Sequence, residues 1–182
     1  MKPQTINSLI IVNHRGFIFY NAVSFQLVWW SSVLWGNWSL LLTIPLLLLH
    51  FGLVTSIENP HSCRRDLLVM IKVGVLGVAI DALLTLLGVF EFNTSPWWLD
   101  CLWLHFGLSL NHSLNFLRAL PVFLQAILGG VFGSLSYLGG AQFYAVSLPL
   151  GVSTSALILA VLWTILLPLF VKIALSQQLT RR

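Results

Sequence analysis

Residues 97–118 read WWLDCLWLHFGLSLNHSLNFLR, a stretch that is apolar enough for a membrane helix and yet contains several polar side chains. An ionisable group in hydrocarbon costs roughly 2.5–3.5 kcal/mol, so it normally faces the interior of a helix bundle or a watery cavity. We therefore predict the functional centre in and around this stretch. The polar residues of the predicted centre are Asp81, Asp100, His105, Ser109, Asn111, His112, Asn115 and Tyr137.

On one continuous helix, at 100° per residue, the polar side chains of this stretch fall on two neighbouring stripes. The stripes consist of His105, Ser109 and His112, and of Asn111, Asn115 and Arg118. Two interpretations stay open. The stripes are either a polar seam that joins helices by hydrogen bonds or a site for chemistry or a ligand. We predict that His112 faces inward, with its ring fixed by Asn111 or Ser109.

The composition predicts an integral membrane protein. Of the 182 residues, 58% are hydrophobic and only 8% are charged, against about 25% charged residues in soluble domains. A spanning helix needs about 20 residues, so the chain has room for about six spans and for no separate soluble domain. We predict one all-α transmembrane bundle over residues 1–182. The predicted spans are 16–35, 38–55, 67–90, 97–117, 121–145 and 155–175.

The basic residues predict an orientation. When the N-terminus is placed in the cytoplasm, all nine fall on the cytoplasmic side of the membrane. Lys and Arg of membrane proteins usually prefer that side. The connectors predicted to lie outside, at 36–37, 91–96 and 149–151, contain neither residue type. Both termini are therefore predicted to be cytoplasmic. The basic residues are Lys2, Arg15, Arg64, Arg65, Lys72, Arg118, Lys172, Arg181 and Arg182.

The most polar internal segment, SIENPHSCRRD at 56–66, is predicted to be an extramembranous loop. His50, just before it, is interpreted as a solvated or hydrogen-bonded side chain near the inner interface. His61 and Cys63 resemble half of a metal site, but no second pair with suitable spacing follows. We predict no metal and no cofactor.

Asp81 is the single acidic residue inside the predicted third span. At 1.5 Å per residue it lies about 21 Å above the inner end of that span, and His105 lies about 12 Å below the outer end of the fourth. In a hydrocarbon core about 30 Å thick, these depths agree to within about 3 Å. We expect Asp81 to be paired or protonated. The depths favour His105 as its partner, with Asn111 or an ordered water as the alternative.

Glycines predict close contacts between helices. Gly74, Gly77 and Gly88 lie in the third span, and Gly129-x-x-x-Gly133 lies in the fifth. The latter spacing predicts packing within the bundle, or a contact with a second copy or another membrane protein. Membrane lipids are the other expected partner. Nucleic acid is not expected, because the basic residues do not form one patch.

The chain contains the motifs W-L-x-x-L-W at 98–103, L-N-H-S-L at 110–114 and L-S-Y-x-x-G at 135–140, together with Asn21 and Trp29 in its predicted first span. In these motifs it resembles a family of small bacterial inner-membrane proteins catalogued as domain of unknown function 2878. The resemblance covers residues 21–170. It implies an inner-membrane location, a six-span bundle and no established activity. The family's association with cyclopropane-fatty-acid-type enzymes implies a role related to lipids.

Three functions are compatible with these patterns. The first is an accessory or enzyme-like protein acting on lipids or lipophilic molecules through an intramembrane pocket of Asp, His and Asn side chains. The alternatives are a small proton-coupled or solute transporter and a structural subunit of a membrane complex. The chain has no nucleophile elbow, phosphate loop or cofactor fingerprint, so the sequence does not decide whether it is an enzyme.

Overall fold

The computed structural model describes residues 3–57 and 60–179, with side chains described within 15–57 and 61–177. The fold is all-α, as predicted, and the described residues form no strand beyond a single bridge between Glu91 and Ser147. Seven α-helices follow one another, with 3₁₀ turns at Gly36–Ser39 and Asn115–Ala119 and a π-helical turn at Gly129–Gly133. The helices are α1 (Pro3–Trp35), α2 (Leu40–Ile57), α3 (Pro60–Leu86), α4 (Trp97–Ser109), α5 (Val122–Leu128), α6 (Ser134–Gln142) and α7 (Val152–Leu179).

Four helical segments of the described chain are long and apolar enough to cross a membrane: Arg15–Ile57, His61–Leu86, Val122–Gln142 and Val152–Gln177. The first contains α1 and α2, which lie antiparallel. The hydroxyl of Tyr20 donates to the carbonyl of Leu46, 3.1 Å away. One turn earlier on α1 and one turn later on α2, Phe17 packs against His50. The chain therefore has the helices of an integral membrane protein. The basic residues Lys2, Arg181 and Arg182 lie outside the described residues.

The prediction of one continuous helix over 97–117 is wrong. Helix α4 has 13 residues, which span about 20 Å at 1.5 Å per residue. The chain then turns, with the N–H of Leu114 bonded to the carbonyl of Ser109, before the short 3₁₀ helix. Polar side chains of this turn bind groups on other helices, and the backbone N–H of Ser113 donates to the side-chain oxygen of Asn21 on α1. The two predicted stripes therefore do not continue past Ser109.

Helix α3 is shifted toward the N-terminus relative to the predicted span 67–90. It begins at Pro60, so most of the predicted loop 56–66 is helical, and that part of the loop prediction is wrong. Glu58, predicted in the same loop, lies outside the described residues. The helix ends at Leu86, and Gly88 follows with φ +72°. A glycine in this left-handed conformation commonly ends a helix. The close helix contact predicted for Gly88 is absent, since nothing lies within 4 Å of its added Cβ position.

Helices α3 and α4 pack closely because α3 has glycines at the contact. A Cβ atom on Gly77 would collide with the indole ring of Trp103, and one on Gly74 would lie 2.6 Å from a methyl carbon of Leu104. The predicted role of these two glycines is thus confirmed. The ring of Trp103 also stacks on Trp163 of α7, with centroids 5.6 Å apart. This aromatic pair joins three helices in the centre of the bundle.

The Gly129-x-x-x-Gly133 face packs inside the chain. A Cβ atom on Gly129 would collide with the carbonyl of Trp163, and one on Gly133 with its indole ring. Both glycines are buried against α7. This surface is therefore covered by α7 of the chain itself. The predicted contact with a second copy or another membrane protein stays a prediction.

Candidate functional site

Asp66 is the centre of the most highly connected polar cluster in the described chain. It lies near the start of α3 and is fully buried. Its buried neighbours along α3 are Ser62, Val69 and Val73, spaced three to four residues apart as on one face of a helix. The apolar face of α3 therefore continues to a carboxylate that points into the bundle.

One carboxylate oxygen of Asp66, Oδ1, accepts hydrogen bonds from two residues. Arg65 donates through Nε at 3.0 Å and Nη2 at 2.9 Å, and the amide nitrogen of Asn111 donates at 2.8 Å. The Arg65 side chain is 14% exposed. A buried carboxylate needs an opposite charge and hydrogen bonds in this way, because burial of a lone charge is costly.

The other oxygen, Oδ2, faces two histidines. The Nε2 atoms of His112 and His50 lie 2.7 Å and 3.2 Å from it. With Asp66 ionised, each ring donates a proton from Nε2 to this oxygen. Phe17 of α1 packs against both rings, with centroids 4.8 Å from His112 and 5.2 Å from His50. We call His50, Arg65, Asp66, Asn111 and His112 the Asp66 centre.

Arg118 extends the Asp66 centre on the side of Asn111. Its Nη2 donates to the side-chain oxygen of Asn111 at 2.5 Å and to the carbonyl of Leu110 at 2.9 Å. Its Nε and Nη1 are buried and have no hydrogen-bond partner among the described residues. The cluster thus contains a second guanidinium with unused donors next to the paired Arg65 and Asp66.

The sequence interpretation missed Asp66 and His50 as members of a site. Asp66 was predicted in an extramembranous loop because the surrounding segment is polar, but it is fully buried. His50 was interpreted as a solvated or hydrogen-bonded side chain near the inner interface; it is hydrogen-bonded and only 2% exposed. The signal for Asp66 was its position on the same helical face as Val69 and Val73.

The predicted pair of Asp81 and His105 is wrong. Asp81 accepts hydrogen bonds from the indole of Trp103 at 2.5 Å and from the hydroxyl of Tyr137 at 2.7 Å. The Nε2 of His105 instead lies 2.9 Å from the carbonyl of Thr43 on α2. Residues 103 and 105 are about 200° apart around α4, so only one of them can face α3. The prediction compared only the depths of the two residues and took no account of the side of the helix on which each lies.

Asp81, Trp103 and Tyr137 form a second centre, which we call the Asp81 centre. Asp66 and Asp81 are 15 positions apart on α3, or about 22 Å at 1.5 Å per residue. Asn111 and His112 belong to the first centre, and Tyr137 belongs to the second. The structure therefore does not bring the predicted polar residues together in one pocket.

The remaining residues of the predicted site have other positions. Ser109 donates to the carbonyl of His105 at 3.1 Å, so it does not orient the His112 ring. Asn115 is exposed and Asp100 is half-buried. His112 is buried, as the prediction that it faces inward requires. Its Nε2 lies on Asp66, and Asn111 binds Asp66 and Arg118 instead of the ring.

A cavity lies beside the Asp81 centre and provides space of about 70 Å³ for the centres of water-sized molecules. Its wall is almost entirely apolar. The indole of Trp29 donates to the hydroxyl of Ser136 at 2.9 Å, and the hydroxyl of Tyr137 is bonded to Asp81, so these polar wall groups are already paired. The wall consists of Phe25, Trp29, Val33, Phe92, Trp98, Leu99, Leu102, Trp103, Phe106, Ser136, Tyr137, Gly140, Val146 and Trp163.

Helices of membrane-spanning length that enclose buried polar centres and an aromatic cavity define an all-α membrane protein. The chain belongs to the family described as protein of unknown function DUF2878, whose sequence model matches residues 18–169. This confirms the resemblance found in the motifs. No curated protein and no solved structure matches the chain.

Proposed function

We propose that this protein binds a lipophilic molecule in its aromatic cavity and takes part in lipid-related chemistry in the bacterial inner membrane. The observation that carries the proposal is the wall of the cavity. Four tryptophans, three phenylalanines and a tyrosine contribute to it. A wall of aromatic and aliphatic side chains with few polar groups is typical of sites for apolar ligands.

The pairing of the polar wall groups supports an apolar ligand. Trp29 and Ser136 are bonded to each other, and Tyr137 and Trp103 are bonded to Asp81. A polar ligand would have to break these bonds or enter without hydrogen bonds of its own, which is unfavourable. An acyl or isoprenoid chain needs no such bonds. It also gains free energy from contact with the aromatic rings.

Asp81 supports the cavity from outside. It does not belong to the wall, but it holds the indole of Trp103 and the phenol of Tyr137, which do. Fixing two large side chains lowers the entropy lost when a ligand binds. We therefore assign Asp81 a positioning role.

Ligand binding in the cavity is tested by a substitution that fills part of it. A Cβ atom on Gly140 would meet only a methyl carbon of Val146, another wall residue, at 3.8 Å. Gly140→Leu is therefore expected to narrow the cavity without a backbone collision. Co-purifying lipids would be extracted from full-length protein and quantified by mass spectrometry. We expect wild-type protein to enrich one lipophilic species, and Gly140→Leu to retain about tenfold less, equivalent to about 1.4 kcal/mol.

Gly52→Leu is the matched control, since Gly52 is exposed on α2 with nothing within 4 Å of its added Cβ. It should retain the ligand at the wild-type level. A wild-type lipid profile identical to that of the bulk membrane, or equal losses in both variants, would contradict the proposal.

The proposed topology is six passes with both termini in the cytoplasm. Two contacts connect connectors at the end opposite the Asp66 centre: Asn37 donates to the carbonyl of Ser95, and Glu91 pairs with Ser147. The connectors 36–39, 91–96 and 147–151 contain no Lys or Arg. Arg65 and Arg118 lie at the Asp66 centre. This asymmetry supports a cytoplasmic location for the Asp66 end.

Cysteine labelling tests the proposed topology. In a background lacking Cys63 and Cys101, single cysteines would replace Asn93 or His61, which are both exposed. A membrane-impermeant thiol reagent added to the periplasmic side should label position 93 and should label position 61 only after the membrane is opened. Labelling of both positions in intact cells would contradict the six-pass arrangement.

A further inference from the structure

Three side chains of the Asp66 centre bring metal-ligating atoms together. His50 comes from α2, Asp66 from the start of α3, and His112 from the turn after α4. One ligand atom from each lies within 4.8 Å of the other two. Their side chains are at most 3% exposed. This convergence from separate elements is a property of the folded chain and could not be found from spacing in the sequence.

We propose that His50, Asp66 and His112 bind a first-row divalent transition-metal ion. The ligands are the two Nε2 atoms and the Oδ2 of Asp66. Two histidines and one carboxylate form a known ligand set for such ions, and the set leaves coordination positions for water or another ligand. The proposal does not depend on the lipophilic ligand, because the cavity lies at the other centre.

The spacing of the ligand atoms fits a metal. With metal–ligand distances of about 2.1 Å, neighbouring ligand atoms lie about 3.0 Å apart at right angles and about 3.4 Å apart in a tetrahedron. The Nε2 to Oδ2 distances are 2.7 Å for His112 and 3.2 Å for His50. Displacements of a few tenths of an ångström would therefore bring these two pairs to such separations, and the two Nε2 atoms, which lie within 4.8 Å of each other, would move closer together to share the ion.

Neighbouring residues orient the proposed ligand side chains, as the residues that contact the ligands do in known metal sites. Arg65 and Asn111 bind the non-ligating oxygen of Asp66 and thereby fix the plane of its carboxylate. Phe17 packs against both imidazoles and restricts their rotation. Such outer contacts set the orientation of ligands and contribute strongly to metal affinity.

The same atoms form hydrogen bonds when no metal is bound, with a proton on each Nε2. Metal binding requires the lone pair of each Nε2, so each neutral ring must carry its proton on Nδ1, and a charged ring must release one proton to solvent. Asp66 is already balanced by Arg65. A divalent cation therefore adds positive charge beside Arg118, which favours hydroxide or another anion as a further ligand.

The test is direct metal binding by the full-length protein in detergent. After chelator treatment and removal of the chelator, the protein would be titrated with Zn²⁺ by calorimetry and with Co²⁺ by visible absorption. We expect about one equivalent per chain and a Co²⁺ spectrum with nitrogen ligands. His50→Gln and His112→Gln should each weaken Zn²⁺ binding by about 100-fold or more, since even outer-residue changes cost about 10–100-fold.

His105→Gln is the matched control, because it removes a buried histidine that contacts Thr43 and lies outside the ligand set. It should leave Zn²⁺ affinity within about threefold of wild type. Wild-type protein without stoichiometric binding, a wild-type Co²⁺ spectrum lacking nitrogen ligands, or an equal loss in His105→Gln would overturn the proposal.

Discussion

Replacing Asp66 by Leu is expected to lower the free energy of unfolding by about 3–5 kcal/mol, the range observed when one partner of a buried ion pair is removed. The substitution leaves Arg65 without its carboxylate and removes the acceptor of Asn111, His50 and His112. Denaturant titration in detergent micelles, on protein treated with chelator, would measure the change without a contribution from bound metal.

Asp66→Asn should have a smaller effect, about 1–3 kcal/mol. An amide keeps one acceptor for Arg65, and each neutral imidazole can turn a lone pair toward the new N–H by changing its tautomer. Asp100→Asn is the control, because Asp100 is half-buried and outside both centres. It should change stability by no more than about 0.5 kcal/mol. If Asp66→Leu were as mild as Asp100→Asn, the Asp66 centre would not be a stabilising network.

Asp81→Asn and Tyr137→Phe are expected to destabilise the protein by about 1–3 kcal/mol each, since each leaves a buried polar group without its partner. Their effects should not add. The double variant is expected to lose less than the sum, with a coupling of about 0.5–3 kcal/mol, because the two side chains contact each other directly. The measurement is a double-mutant cycle of unfolding free energies in micelles.

A second cycle pairs Asp81→Asn with His105→Gln. These two side chains bind different partners, Trp103 and Tyr137 in one case and Thr43 in the other. Their effects should add to within about 0.3–0.5 kcal/mol. A coupling with His105 that exceeds the coupling with Tyr137 would contradict the observed arrangement and would restore the pair predicted from depth alone.

The fold class followed from the sequence because hydropathy depends on composition, which needs no knowledge of contacts. The close contacts of Gly74 and Gly77 were also predicted from their positions in an apolar helix, whereas Gly88 follows the end of that helix and has no such contact. These features depend on local properties of the chain.

The partners of the buried side chains could not be predicted in this way. Asp81 contacts Trp103 instead of His105 because the rotation of α4 is fixed by its packing on α3, where Trp103 occupies the space beside Gly77. The end of α4 at Ser109 coincides with a turn whose Asn111 and His112 side chains bind Asp66. Both features depend on residues that are far apart in the sequence. A single sequence does not reveal toward which helix the side chains of such residues point.

The members of the Asp66 centre are synthesised at different times, so the centre forms in stages. Asp66 and His112 are 46 positions apart. Asp66 is therefore synthesised well before its hydrogen-bond donors Asn111 and His112. Until then, Arg65 and His50 are the members of the centre already present to balance it. The neighbouring Arg65 can therefore balance the charge of Asp66 in the nascent chain before the later helices have been synthesised. A chain released before residue 111 would hold this pair but could not close the centre.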